Sequence, residues 1–497
     1  MTQQKPLDAF SKIEIFISVC ILAGSVALAD FILPRTIMLL GGIIVGTTTL
    51  IFVGGYASYV HRDRVPRRLR TTPIAVFFLI PVAIGFGFIW YFDVVFTVVG
   101  GIIFLSLLVF ISIYWIVIPL SMFQHYGEQL RTVEIDEWPA VTTIIPAYNE
   151  EGYVGPCIDS LLESTYPKDQ LQIVVVDDGS TDGTLAEAQK RESDQVTVIH
   201  KQNGGKHSAL NCGLEHVESD LVVSVDADSL IAPDAITQLV KTYTFHDEPC
   251  AVAGNVKVRY TELRLERIQA LEYIISIYLF RRAQDQLGLV SVVPGCLGLF
   301  ERETVESIGG FSGDTVTEDF DLTVELLKQG HRVHYSGSAI AYTEAPNTLR
   351  GLYNQRLRWL SGTVQTLIKH REIVSNTDFG LLHVVLTPYM WLSVVGSPIL
   401  GFVVLGTIVW MSATGSFLQV LGLLVLFLLL ECLFGLAALL IENSDEGPDF
   451  RLLAYTPVMV IGFKQLQDLI MIKSLLDVVL DRQIGWTKAG RNRQKES

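Results

Sequence analysis

Charge is scarce in this 497-residue chain. Asp, Glu, Lys and Arg together make up 18% of it and leave a formal net charge of −15. That acidic surplus excludes a general nucleic-acid binder, whose affinity rests on basic side chains against phosphates. Cysteine is scarce too. The six (Cys20, Cys157, Cys212, Cys250, Cys296, Cys432) show no C-x-x-C spacing, which reads as six reduced thiols and no zinc site. The G-x-x-x-x-G-K-[ST] phosphate loop and the G-x-G-x-x-G dinucleotide fingerprint are missing, as are internal repeats and low-complexity tracts. With half of its residues hydrophobic and a positive mean hydropathy, the chain is neither disordered nor a small disulfide-stapled domain.

What is abundant is apolar runs, gathered at both ends. A bilayer core of about 30 Å takes about 20 helical residues to cross. Residues 13–33, 37–60, 74–92, 94–120, 386–411 and 417–441 reach that length, and 452–476 does so with interruptions by Lys464, Gln465, Gln467, Asp468 and Lys473. Ala27-Leu28-Ala29 imitates a signal-peptide cleavage site, but the run is long for such a peptide and a second follows after only Pro34-Arg35. Arg62, Arg64, Arg67, Arg68 and Arg70 lie between the second and third runs. Positive loops stay in the cytoplasm, so the first four runs form two hairpins and leave the polar middle, 131–371, on that side. The basic tail (Arg482, Lys488, Arg491, Arg493, Lys495) favours the cytoplasm as well, yet three further crossings would place it outside. Either 452–476 lies in the interface, or 379–411 (with Pro388 and Pro398) crosses twice, or the tail is external. Glu431 and Gln465, polar within apolar segments, are channel-lining candidates, with interhelical hydrogen bonding as the plainer reading. The expected organisation is an N-terminal transmembrane region (1–130, about four spans), a cytoplasmic domain ending in an interfacial helix (131–373), a second transmembrane or interface region (374–480, about three apolar segments) and a basic tail (481–497).

In the middle, short β-rich runs alternate with helical patterns. Residues 141–146, 172–177, 196–200 and 221–226 read as buried parallel strands of an open α/β sheet, whose ligand belongs at the strands' C-terminal ends. Polar residues collect there. Asp177 and Asp178 end the second strand before Gly179 and Gly183; a carboxylate at that place suits a nucleobase N–H or ribose hydroxyls, or merely caps a helix. Asp226 and Asp228 end the fourth. Residues i and i+2 of a strand share a side, and two carboxylates suit a hard divalent cation, although a lone D-x-D is common by chance. Asn203-Gly204-Gly205-Lys206 precedes a helical run whose N–H groups and lysine suit a diphosphate. Thr317-Glu318-Asp319 opens another helix; its acids serve either as first-turn caps or as a general base. In 348–370, Gln355, Arg358 and Trp359 share one helix face. Arginine suits diphosphate and tryptophan offers a flat surface for a sugar ring; alternatively, Trp359 anchors a surface helix at the lipid interface.

Taken in order, Pro146-Ala147-Tyr148-Asn149-Glu150, Asp177-Asp178-Gly179-Ser180-Thr181-Asp182-Gly183, Gly205-Lys206, Asp226-Ala227-Asp228, Thr317-Glu318-Asp319 and Gln355-Arg356-Leu357-Arg358-Trp359 resemble the processive, inverting, membrane-embedded glycosyltransferases of family 2, the class of cellulose, hyaluronan and poly-N-acetylglucosamine synthases. Val225-Asp226-Ala227-Asp228, Asp314–Thr323 and Thr343-Glu344-Ala345-Pro346 resemble the poly-β-1,6-N-acetylglucosamine synthases within that class. The D-S-D and G-E/D-D-R variants usual in hyaluronan and chitin-type synthases are missing, and from Gly380 onward the chain is mostly apolar rather than a cyclic-dinucleotide-binding domain.

The resemblance implies a fold, a site and a reaction. The fold is an α/β glycosyltransferase A-type domain, an open, mixed, mostly parallel sheet, inserted between α-helical transmembrane segments. Ala147, Glu150, Asp178, Lys206 and Asp226 would bind the nucleotide. Asp228 and Asp226 would hold Mg²⁺ or Mn²⁺. Asp319 would be the catalytic base with Glu318 beside it, and Gln355, Arg358 and Trp359 would bind diphosphate and acceptor. The expected activity is transfer from a UDP-sugar, best UDP-N-acetylglucosamine, onto a β-linked polysaccharide that passes through the protein's own channel. The alternative is transfer of one sugar to a lipid or lipid carrier. Expected partners are the UDP-sugar donor, a glycan acceptor, the lipid bilayer and accessory export or synthase subunits, with no nucleic acid. The expected location is the plasma membrane, multi-pass, with the catalytic domain in the cytoplasm.

Overall fold

Valine- and isoleucine-rich runs without polar alternation make strands buried on both faces, and such strands pair in parallel. In the computed structural model, which describes residues 116–131, 133–246, 249–415, 417–442, 447–480 and 482, four of them do so at the expected positions. β1 (Val141–Ala147) lies between β2 (Leu171–Asp177) and β4 (Leu221–Ser224), and β3 (Val196–His200) pairs with β2, all parallel. Helices α1 (Val154–Leu162), α2 (Thr184–Gln189) and α3 (Lys206–Leu214) make the crossovers. β4 stops at Ser224, so Asp226 and Asp228 sit in the turn that follows it and not on the strand. The alternation rule therefore does not fix their directions; the turn does, closed by the Ser229 N–H donating to the Asp226 carbonyl at 2.9 Å.

Beyond β4 the sheet becomes mixed. Its order is β3-β2-β1-β4-β7-β6-β8-β5, with β5 Leu230–Ile231, β6 Pro249–Val258, β7 Gly298–Glu301 and β8 Arg332–Thr343. β7 runs antiparallel to β4 and to β6, while β6 and β8 are parallel. Val141, Ile145, Val175, Val223, Val252 and Leu299 of five of these strands pack into one core with Ile158 of α1 and Leu239 of α4 (Ala235–Phe245). The helical path α5 (Arg264–Glu272), a wide turn at Tyr273–Tyr278 and α6 (Leu279–Asp285) leads on to β7. Then α7 (Glu318–Lys328) precedes β8, and α8 (Leu349–Lys369) follows it.

The chain divides into two compact units: Pro119–Pro398 with Leu466–Ser497, which holds the sheet, and Met1–Ile118 with Ile399–Gln465. The expected spans at 13–33, 37–60 and 74–92, most of 94–120, and the tail other than Arg482 lie outside the described residues. Leu382–Ala413 is a helix long and apolar enough to cross a membrane, and it contains the expected span 386–411. α9 (Phe417–Leu440), 24 residues long, matches the run at 417–441 and carries Glu431. The interrupted run 452–476 is not one helix. Ile461 and Gly462 leave helical geometry, Gly462 at φ +112°, and α10 (Lys464–Val479) starts after the break. Gln465 seals that kink, accepting the Gly462 N–H at 2.6 Å and donating to the Val460 carbonyl at 3.1 Å. Its side chain serves the local backbone and not a separate helix.

Candidate active site

The turns after β1 and β2 are stitched to each other. Asn149 sits at φ 55°, a left-handed conformation that Asn tolerates better than most residues. Its N–H donates to Ser180 Oγ at 2.9 Å, and its Oδ1 accepts the Thr181 N–H at 2.7 Å. The Glu150 N–H donates to Thr184 Oγ1 at 2.6 Å, and the Asp178 N–H to the Ala147 carbonyl at 2.8 Å. Ala147, Glu150 and Asp178, named separately from the sequence, are thus brought together at the parallel strand ends.

The Asp178 carboxylate is nearly fully buried. It accepts Lys201 Nζ at 2.7 Å, the Gly204 N–H at 3.0 Å and the Gly205 N–H at 2.8 Å. Three of its roughly four lone-pair positions are thereby engaged, and the two glycine amides face Asp178 and not outward to a diphosphate. Asp178 fixes the loop that delivers Lys206 to the site. Asp177 is turned away, its Oδ2 2.6 Å from His200 Nδ1.

Lys206 opens α3, and its ammonium stands among acids: 2.7 Å from Asp226 Oδ1 and 2.9 Å from Glu318 Oε1. Burial opposes its charge, but Asp226, Glu318 and Asp319 outweigh burial and hold it well above the ordinary lysine range. Asp319 Oδ2 accepts the Gly295 N–H at 3.2 Å and Oδ1 the Phe320 N–H at 2.8 Å. Burial and the adjacent Glu318 push its carboxyl above the usual carboxylate range, against the pull of Lys206 and those two N–H groups. Gly295 occupies the centre of this group: a Cβ there would stand 2.5 Å from Lys206 Nζ and 3.6 Å from Asp226 Oδ1. Asp228 shares the neighbourhood. Burial pushes the Cys157 and Cys296 thiols up, and both Asp226 and Asp228 add to it. Two hard carboxylates in one turn, with a positive group already drawn to one of them, fit a hard divalent cation.

A second group able to hold a metal lies at the start of β8. Ligand atoms of His246, Asp285 and His334 fall within 4.8 Å of one another. His334 Nδ1 is 2.8 Å from Asp285 Oδ1, and the rings of His246 and His334 stack at 3.5 Å. Burial, with His334 close by, lowers His246 to about 3, which keeps a nitrogen lone pair free for a ligand role. No local spacing announces this group, because its members are far apart in the sequence.

α8 is held against the acidic helix α7. Thr348 Oγ1 accepts the Gly351 N–H at 3.1 Å and caps its start. A Cβ on Gly362 would collide with Thr317, so α8 approaches the residue before Glu318 as closely as glycine allows. The Val316 N–H donates to Gln365 Oε1 at 3.0 Å, Lys369 bridges Asp314 and Asp321, and His370 reaches Asp321 at 2.9 Å. Gln355, Arg358 and Trp359 ride on this anchored helix. Gln355 Oε1 is buried without a hydrogen-bond partner. Trp359 lies against Tyr273, ring centroids 6.3 Å apart, and beneath the Arg356 guanidinium at 4.5 Å. Sequence reasoning assigned no role to Gly295, Glu272 or Tyr273, and named Arg356 only as part of the Gln355–Trp359 motif. A glycine at Pro294-Gly295-Cys296 just before a strand was the one available signal.

A mixed α/β sheet with acidic turns at its parallel strand ends, a lysine drawn to them and an acid pair opening a neighbouring helix is the layout of a glycosyltransferase A-type fold. Residues 142–309 match the family model described as Glycosyl transferase family 2. The chain is similar to the poly-beta-1,6-N-acetyl-D-glucosamine synthase of Staphylococcus aureus (strain MSSA476), 31% identical over 270 residues, which are 52% of this chain and 65% of that protein. The protein of the same description from Staphylococcus epidermidis is 28% identical over 268 residues, with the same shares covered. The chain thus spans a little under two thirds of the length of these curated relatives. Among solved structures, the mannosyltransferase PcManGT from Pyrobaculum calidifontis, in complex with GDP-Man and Mn²⁺, superposes at a TM-score of 0.51 with 22% identity, covering 74% of this chain and 99% of that one. That likeness carries the fold.

Proposed function

We propose that this protein is a multi-pass membrane glycosyltransferase that takes a UDP-sugar, best UDP-N-acetylglucosamine, extends a β-linked polysaccharide with inversion, and passes the product through its own membrane spans. The observation that carries the reading is the grouping of Lys206, Asp226, Glu318 and Asp319 in one place. The similarity to proteins described as poly-β-1,6-N-acetylglucosamine synthases supports the donor. The domain 131–373 is the cytoplasmic catalytic part, and the regions before and after it (1–130 and 374–480) are the membrane parts.

In this mechanism Ala147, Glu150 and Asp178 receive the nucleoside. Asp319, whose carboxyl is poised above the ordinary range, takes the proton from an acceptor hydroxyl. That oxygen bonds to the anomeric carbon from the face opposite the nucleotide, the bond from that carbon to the diphosphate oxygen breaks, and UDP leaves. Lys206 and Arg358 hold the departing diphosphate. A Mg²⁺ or Mn²⁺ on Asp226 and Asp228 would supply further charge neutralisation there; a neighbour in fold solved with Mn²⁺ supports that choice. Trp359 and Gln355 orient the acceptor sugar.

The test is a donor screen. Membranes containing the protein are incubated with Mg²⁺ or Mn²⁺ and separate UDP-sugars, and UDP release is followed together with product size. A ladder or smear from UDP-N-acetylglucosamine is expected. One discrete glycolipid would replace polymerisation with single transfer, and no UDP release from any sugar nucleotide would refute the reading.

A further inference from the structure

We propose that Arg356, locked by the buried carboxylate of Glu272, is a positioning residue for Trp359, and that the C-terminal helix α10 takes part in that lock through Gln467. The inference rests on the reading of Trp359 as the surface that meets the acceptor sugar. Arg356 Nη2 is 2.7 Å from Glu272 Oε2, and the other carboxylate oxygen, Oε1, accepts Gln467 Nε2 at 2.5 Å. Arg356 is 5% exposed, Glu272 8% and Tyr273 3%. From this fixed place the guanidinium carbon stands 4.5 Å from the centre of the Trp359 ring and 5.7 Å from that of Tyr273.

The physical argument concerns direction more than stability. A buried ion pair is weak support for folding, because desolvation offsets much of the attraction, but once formed neither member can leave without stranding the other's charge. A planar guanidinium that cannot leave, stacked on an indole, restricts that indole to one rotamer. Arg356 precedes Trp359 by one helical turn, so the two side chains meet on one face of α8. One face of the indole is thus occupied by Arg356, and a sugar stacking on Trp359 uses the other. Glu272 ends α5 just before the wide turn at Tyr273–Tyr278, so its backbone brings Tyr273 to the same aromatic edge. Gln467, in the first turns of α10 just past the kink at Gly462, makes the platform answer to a segment remote in sequence from the catalytic motifs.

Full-length protein labelled with 5-fluorotryptophan in detergent micelles tests this by ¹⁹F NMR, with the Trp359 resonance assigned from its loss in Trp359→Phe. A single line is expected from the unaltered protein. Arg356→Met and Glu272→Ala should shift and split it, Gln467→Ala should broaden it, and Arg356→Lys, which keeps a cation for Glu272 but loses the planar stack, should leave it shifted and broadened rather than restored. In steady-state transfer from UDP-N-acetylglucosamine to a short β-1,6-linked N-acetylglucosamine oligosaccharide, Arg356→Met should raise the acceptor KM about tenfold, with kcat and the donor KM held within about twofold. An unchanged Trp359 resonance in both Arg356→Met and Glu272→Ala overturns the proposal, as does equal loss in donor and acceptor terms. If the unaltered protein transfers sugar to no acceptor, the functional reading fails on its own, and the resonance still decides whether Arg356 positions Trp359.

Discussion

Replacing Asp319 by asparagine isolates the proton-transfer step. The shape is kept: an amide oxygen can still accept one of the two N–H groups, from Gly295 and Phe320, that Asp319 now accepts. Lys206 remains paired with Asp226 and Glu318, so the diphosphate side of the site keeps its charge. What disappears is the carboxylate that, in the proposed mechanism, receives the acceptor's proton. A positioned base contributes about 10²–10⁴ in rate, which at about 1.4 kcal/mol per tenfold is a loss of about 3–5 kcal/mol of transition-state stabilisation. The assay measures kcat by UDP release and donor affinity by calorimetry on the same preparation. A kcat lower by two to four orders of magnitude, with donor affinity within about threefold, is expected. Near-normal polymerisation in Asp319→Asn would refute the assignment. The pH dependence adds a signature. Because burial and Glu318 raise the Asp319 pKa above its ordinary 3.8, kcat should climb with pH on the acidic side, along a limb above the usual carboxylate range. The folded state binds this proton more tightly than the unfolded chain, so the stability Asp319 contributes is greatest at low pH and is lost as pH rises through its folded pKa. Asp319→Asn should therefore unfold no more easily than the parent near neutral pH.

Four further outcomes follow from the same geometry. Lys206→Met removes the ammonium that competes for Asp226, so Mn²⁺ binding followed by electron paramagnetic resonance should tighten about tenfold while turnover falls; weaker binding would contradict the shared site. Gly362→Ala drives a methyl into Thr317 and should cost about 1–3 kcal/mol in denaturant unfolding, whereas Gly295→Ala crowds the Lys206 ammonium, with Asp226 Oδ1 at 3.6 Å, and should lower kcat by displacing that side chain, with little change in stability. Burial pushes the Asp321 carboxyl up, but hydrogen bonds from His370 and Lys369 prevail and hold it below the ordinary range, so its stability contribution is present at neutral pH and is lost as pH falls through its folded pKa. Asp321→Asn should cost about 3 kcal/mol at pH 7 and flatten the acid-side decline in melting temperature.

The difference between what could be read from residues and what could not has a physical origin. Ile173-Val174-Val175-Val176 announces a strand because a β-branched run has few other places to bury itself, and the polar residues after each such run fall at the strand ends in any parallel sheet. Gln355 and Trp359 share a face because a helix repeats every 3.6 residues. These are properties of neighbours in the chain. The end of β4 before Asp226 was missed because a strand ends where its hydrogen-bonding partner ends, and that partner, β7, lies more than seventy residues on. Neither the insertion of β7 against the parallel strands nor the His246, Asp285 and His334 group has a local mark.

Local pattern determined the parallel half of the sheet, the apolar segments and the set of acidic, basic and aromatic residues that the proposed site draws on. Tertiary structure alone decided how they are spent: that Asp178 holds the loop of Lys206, that Lys206 bridges Asp226 and Glu318, and that Glu272 clamps Arg356 over Trp359. Charges interact through space with a strength set by distance and burial, and neither quantity is written along the chain.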